Sequence, residues 1–148
     1  MTQPPRTEGD RLTHLLWEVS TRTTLLGEAS LAESPLTLAG VGILNRVVER
    51  PGITIAEIAR EAPVSQQAVS QVVARLEKLG YVERRLASGR SIGLYATAAG
   101  VQGRDHGLVL EDGLEARLQE ALGHDRYERL RALLDEARPI VTDLQAER

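Results

Sequence analysis

Residues 63–85 read Pro63-Val64-Ser65-Gln66-Gln67-Ala68-Val69-Ser70-Gln71-Val72-Val73-Ala74-Arg75-Leu76-Glu77-Lys78-Leu79-Gly80-Tyr81-Val82-Glu83-Arg84-Arg85, and this stretch decides the architecture. Ser65 carries the hydroxyl that caps a helix N-terminus, and Val64 is spaced to staple onto Val69, four positions into the new helix. Ala68, Val69, Val72, Val73, Leu76 and Leu79 recur on one side at helical spacing, and Gly80 is a natural C-terminal stop. The pattern predicts a helix from Gln66 to Leu79 with a single apolar face.

The opposite face consists of Gln67, Ser70, Gln71, Ala74 and Lys78, flanked by Gln66 and Arg75. Glutamine pairs bidentately with adenine, serine donates or accepts, and arginine or lysine holds phosphates or guanine, so this face suits base and backbone contacts. A merely solvated helix surface is the other reading of the same residues. Their surroundings decide between the two.

Upstream, Ile53-Thr54-Ile55-Ala56-Glu57-Ile58 combines a capping box, Thr54 with Glu57, and a hydrophobic staple, Ile53 with Ile58. It predicts a short helix ending near Ala62. Pro63-Val64-Ser65 is then a tight turn, and two short helices so joined form a helix-turn-helix, whose second helix enters the DNA major groove. Downstream, Tyr81–Leu86 and Ile92–Ala96 read as strands around Ala87-Ser88-Gly89-Arg90-Ser91, a polar connection suited to a hairpin. Arg84, Arg85 and Arg90 make this hairpin basic, fit to lie along phosphates or in the minor groove. A helix-turn-helix followed by such a hairpin is a winged helix.

Further out, Leu12, Leu15, Leu16, Val19 and Leu26 form one stripe of a first helix from Arg11 to Leu26. His14, Trp17, Thr21 and Leu25 occupy its other face, so contact with a partner subunit or ligand is expected; His14, Trp17 and Thr21 are candidates for an effector pocket. Ser34-Pro35 reads as an N-cap and first helical position, opening a helix through Val41, Leu44, Val47 and Val48 that Pro51-Gly52 ends. Thr97 caps a further helical region carrying Leu108, Leu114, Leu118 and Leu122. That region breaks at Gly123 and resumes through Leu130, Leu133, Leu134, Ala137, Ile140, Val141 and Leu144, with a kink expected at Pro139.

The expected division is an N-terminal segment with a first helix (1–33), a winged helix-turn-helix lobe (34–97, recognition helix 65–80, wing 81–96) and C-terminal helices (98–148). The fold class is mainly α. With 148 residues, 42% apolar and 26% charged, the length and balance are those of one compact soluble domain. No cysteine is present, which excludes disulfides, thiolate catalysis and cysteine-based zinc sites. No apolar run is long enough to span a membrane, and the polar start Met1–Asp10 lacks the features of a signal peptide, so a cytoplasmic location is expected.

The formal charge of −3 is unevenly spread. Residues 1–64 hold 6 basic and 8 acidic side chains, residues 65–104 hold 6 and 2, and residues 105–148 hold 6 and 11. The winged-helix region is thus a basic island in an acidic chain, which favours an anionic partner there. His14, His106 and His124 lack metal-ligand spacing, so no metal and no cofactor is expected. No nucleophile elbow, zinc-protease motif or phosphate loop occurs, and no enzyme activity is expected.

Ser65 to Gly80, then Tyr81-Val82-Glu83-Arg84-Arg85, then Ala96-Thr97-Ala98-Ala99-Gly100 resemble the core of the MarR family of winged helix-turn-helix transcriptional regulators, over about residues 35–104. The stretch Arg75–Arg84 is especially similar to the end of the family's recognition helix and its first wing strand. The resemblance implies a homodimer held by terminal helices, binding a palindromic operator on double-stranded DNA as a repressor, and responsive to a small aromatic or other organic effector between the lobes. The DNA contacts it implies, together with the helix reading, are Ser65, Gln66, Gln67, Ser70, Gln71, Arg75, Lys78, Arg84, Arg85 and Arg90. The family's Asp-x-Arg stands here as Ser88-Gly89-Arg90 in a shorter wing, and its Leu-Thr-x-x-Gly as Ala96-Thr97-Ala98-Ala99-Gly100. That altered wing motivates an alternative: a winged-helix dimer that binds a protein or ligand and has lost specific DNA recognition.

Overall fold

The computed structural model describes Gly9, residues 11–87 and residues 89–147. The reading of Met1–Asp10, apart from Gly9, and that of Ser88 in the hairpin lie outside the described residues. The elements are α1 (Leu12–Ser30), α2 (Leu38–Glu49), α3 (Ile55–Glu61), α4 (Gln66–Lys78), β1 (Val82–Leu86), β2 (Ile92–Ala96), α5 (Ala98–Leu122) and α6 (His124–Ala146). Where composition predicted one compact domain, there are two compact units, the first ending at Glu111 and the second beginning at Asp112. The physical reason is where apolar burial stops: every buried core side chain belongs to the first unit, and no described residue of the second is buried.

The core of the first unit is made by α2, α3, α4 and the hairpin. Val41, Leu44 and Val47 of α2, Ile58 of α3, Val69, Val73 and Leu76 of α4, and Val82 and Leu94 of the strands are its central members. β1 and β2 pair antiparallel with Val82 opposite Ala96 and Leu86 opposite Ile92. Ile53 bridges to Leu94 beside them, so the turn before α3 is stitched to the hairpin.

Local chemistry explains the boundaries. The Thr54 hydroxyl accepts from the Glu57 backbone N–H at 3.2 Å, and a Glu57 carboxylate oxygen accepts from the Thr54 N–H at 2.7 Å, completing the expected capping box. The Ser65 hydroxyl accepts from the Ala68 N–H at 3.1 Å and starts α4. At the other end Gly80 has φ +71°, the Tyr81 N–H donates to the Leu76 carbonyl and the Gly80 N–H to that of Glu77. This is a Schellman ending, and it needs a residue free of the steric cost of a Cβ at positive φ.

One start differs from the sequence reading. Ser34 does not cap α2 and Pro35 is not its first residue; the N-cap is Thr37, whose hydroxyl accepts from the Gly40 N–H at 3.1 Å. Burial of Leu36 draws residues before Thr37 out of the helix, and the Glu28 carboxylate of α1 accepts from the Leu38 N–H at 3.2 Å. Ser34 instead receives the Leu36 N–H. α1 runs on to Ser30, beyond the expected Leu26, and α6 continues through Pro139.

Candidate nucleic-acid interface

α4 presents Gln66, Gln67, Gln71 and Lys78 as exposed side chains, with Ser70 half-buried among them. The three amides make no hydrogen bond to any described residue. Their donor and acceptor groups are therefore directed to water, held on a helix whose other side is fixed by Val69, Val73 and Leu76. Ser65 stands at the same end of the helix with its hydroxyl committed to the cap.

Arg75 is exposed but turned back, its guanidinium donating to the Pro35 carbonyl at 3.1 Å. It ties α4 to the segment before α2, a role the wheel alone does not reveal. On the hairpin, Arg84 Nε lies 3.0 Å from both carboxylate oxygens of Glu77 in α4. Arg85 pairs with Glu83 at 2.6 Å and lies 5.2 Å from the centre of the Tyr95 ring. Arg90, at the tip, has no ion pair with any described residue. Exposed ion pairs of this kind are weak, so a phosphate competes effectively for Arg84 and Arg85.

The hairpin is anchored at its base. The Thr97 hydroxyl donates to the Gly80 carbonyl at 2.6 Å and accepts from the Gly100 N–H at 3.0 Å, while the Thr97 N–H donates to the Tyr81 carbonyl. A Cβ on Gly100 would come within 2.0 Å of the Tyr81 oxygen, so α5 starts directly against the end of α4. Ala96-Thr97-Ala98-Ala99-Gly100 thus ties the base of the hairpin to the end of α4.

His14, Trp17 and Thr21 stand on α1, with the His14 and Trp17 ring centres 5.7 Å apart and Trp17 62% exposed. His14 Nε2 is 3.9 Å from Glu18. An apolar cavity of about 180 Å³ lies elsewhere, walled by Ala39, Gly42 and Ile43 of α2, Ile58 of α3, and Val69 and Val72 of α4. The sequence reading missed it, since the small residues that open it belong to three separate elements. It also missed the Arg50–Glu61 pair joining the end of α2 to α3, which holds the Glu61 carboxyl below its ordinary range. Arg104 of α5 likewise donates to Asn45 of α2 at 3.0 Å. Among the described residues no group of acids and histidines suits a metal ion, and no helix is long and apolar enough to cross a membrane.

The model of the MarR family matches residues 34–90, which hold the helix-turn-helix and the first strand of the hairpin. The HTH-type transcriptional repressor Rv2887 of Mycobacterium tuberculosis is 40% identical over 93 residues, covering 60% of this chain and 66% of the relative, so the chain spans just under two thirds of that relative's length. A crystal structure of the Mycobacterium tuberculosis MarR family protein Rv2887 with salicylic acid is 28% identical and covers 87% of this chain and 97% of the other, with a TM-score of 0.70. The structure of the same protein with DNA gives 27% identity, 85% and 96% coverage, and a TM-score of 0.70. Bordetella bronchiseptica BpsR, at 16% identity and a TM-score of 0.81 over 90% of this chain and 96% of that one, shares the fold. Over the matched helix-turn-helix and first hairpin strand, this chain is similar to the MarR family of winged-helix transcriptional regulators.

Proposed function

We propose that this protein is a transcriptional repressor that binds a palindromic operator on double-stranded DNA as a homodimer and responds to a small organic effector. The observation that carries the reading is the α4 surface: Gln66, Gln67 and Gln71, exposed and without hydrogen-bond partners among the described residues, beside a hairpin tipped by Arg90. Unsatisfied amides on a rigid helix suit base edges of the major groove, and the basic hairpin suits the adjacent backbone. Relatives named as HTH-type transcriptional repressors, and a structural neighbour solved with DNA, support the same assignment.

Homodimerisation is supported by the apolar side chains that α1 and α6 leave in water, Leu12, Leu15, Leu16 and Val19 on one, Leu133, Leu134, Ile140, Val141 and Leu144 on the other. Such stretches are costly unless covered. In this reading residues 1–33 and 98–148 supply the dimerisation lobe and residues 34–97 the DNA-binding lobe. The neighbour solved with salicylic acid supports an aromatic acid as effector, and His14, Trp17 and Thr21 offer an imidazole, an indole face and a hydroxyl for it. No catalytic step is part of this function, and its site of action is the cytoplasm.

Selection of bound fragments from genomic DNA tests the proposal. It should recover a small set containing inverted repeats, bound at least ~1,000-fold more tightly than random duplex at moderate salt. Salicylate should lower that affinity. Equal binding to selected and random DNA would favour the alternative, a winged-helix module without specific DNA recognition, to which the pairing of Arg84 and Arg85 with carboxylates also lends itself.

A further inference from the structure

Two large aliphatic side chains on the hairpin stand outside the core: Leu86 is 77% exposed and Ile92 is 52% exposed. They are direct cross-strand partners, the last pair before the connection at residues 87–91. Cross-strand partners share a face, and so do alternate pairs along a hairpin. Leu86 and Ile92 therefore continue the face that carries Val82 with Ala96 and Arg84 with Leu94. On that face Val82 and Leu94 enter the core and Arg84 reaches Glu77 of α4. The exposed pair prolongs the α4 side of the hairpin past the edge of the core, toward the tip bearing Arg90.

Charge selects the occupant. The pair is flanked by Arg84 and Arg85 along β1 and by Arg90 at the tip, while the nearby acids Glu77 and Glu83 are already engaged by Arg84 and Arg85. A polyanion whose grooves have apolar walls matches an aliphatic pair set among cations. The deoxyribose rings lining a DNA minor groove provide such walls, and apolar side chains are a recurrent means of seating there.

We propose that Leu86 and Ile92 seat against the deoxyribose rims of the minor groove while Arg90 enters it, contributing affinity that does not depend on neutralising phosphate. This rests on the DNA-binding function proposed above. It assigns the hairpin two separable roles, an electrostatic one at Arg90 and an apolar one behind it.

The test is the double variant Leu86→Thr, Ile92→Thr. Threonine suits a strand, and both positions lie outside the core, so the fold is retained, as circular dichroism checks. Fluorescence anisotropy is measured on a labelled duplex selected from genomic DNA by the wild-type protein, at several salt concentrations. The expected result is about tenfold weaker binding from lost apolar contact, with the slope of log affinity against log salt unchanged. Leu86→Met with Ile92→Leu should restore affinity, because apolar area is kept. Affinity within about twofold of wild type, a salt slope smaller by about one, or a smaller species in sedimentation would overturn the proposal. If the wild type binds specifically and the variant binds equally well, the apolar seat alone falls. If the wild type binds no duplex better than random DNA, the DNA-binding function falls and takes the seat with it.

Discussion

In the proposed function base readout rests on Gln67 and Gln71: both are exposed on α4, and among the described residues neither has a hydrogen-bond partner that would hold it back. Replacing either by alanine should cost about 1–3 kcal/mol on the cognate operator and much less on random DNA. Titration on both duplexes checks this; equal losses would mean that these side chains dock the helix without reading sequence. Arg90 belongs to a different class of contact. Without a carboxylate partner among the described residues, its charge is free for a phosphate or the minor groove. Arg90→Ala should weaken cognate and random DNA alike and reduce the salt slope by about one, and an unchanged slope on the same operator would exclude contact.

At the scale of elements, α3 depends on its capping box. The Glu57 carboxyl is held below its ordinary range chiefly by the Thr54 backbone N–H and then by the Thr54 hydroxyl. A lowered folded-state value gives stability that is present above the unfolded pKa and lost as pH falls through the folded one. The acid limb of thermal stability, below roughly pH 4, should therefore be shallower in Glu57→Gln than in wild type. Melting followed by circular dichroism across that range measures it. The junction of α4, β1 and α5 is less forgiving. A methyl group at Gly100 meets the Tyr81 carbonyl oxygen at 2.0 Å, and backbone on both sides cannot rotate away as a flexible side chain does. Gly100→Ala should destabilise by about 1–3 kcal/mol or more in denaturant titration, and a neutral result would show that the start of α5 moves independently of α4.

For the whole molecule, the governing feature is apolar surface. Leu12 and Leu133 are 66% and 62% exposed, and each sits on a helix with several similar neighbours. Scattered exposed leucines are ordinary; repeated ones along α1 and α6 are the surface that the proposed homodimer would cover. Sedimentation should find a dimer at micromolar concentration, and Leu133→Glu should shift it toward monomer. A wild-type monomer would overturn the dimeric arrangement and, with it, two-fold operator symmetry.

What the amino-acid order determined by itself is whatever depends on short-range chemistry. The Thr54–Glu57 box, the Ser65 cap, the Gly80 ending and the two short strands around a polar connection each involve groups a few residues apart, so periodicity and the placement of hydroxyls and glycines specify them. The polar face of α4 was legible for the same reason. Tertiary structure alone decided the rest, because distant segments had to meet. Leu36 entering the core moved the α2 cap from Ser34 to Thr37, Pro35 claimed Arg75, Glu77 claimed Arg84, and Ala39, Ile58 and Val72 came to wall one cavity. Most of these partners lie far apart in the chain, and even Glu77 and Arg84, seven residues apart, stand on different elements, so the contacts follow from how those elements pack rather than from any local propensity.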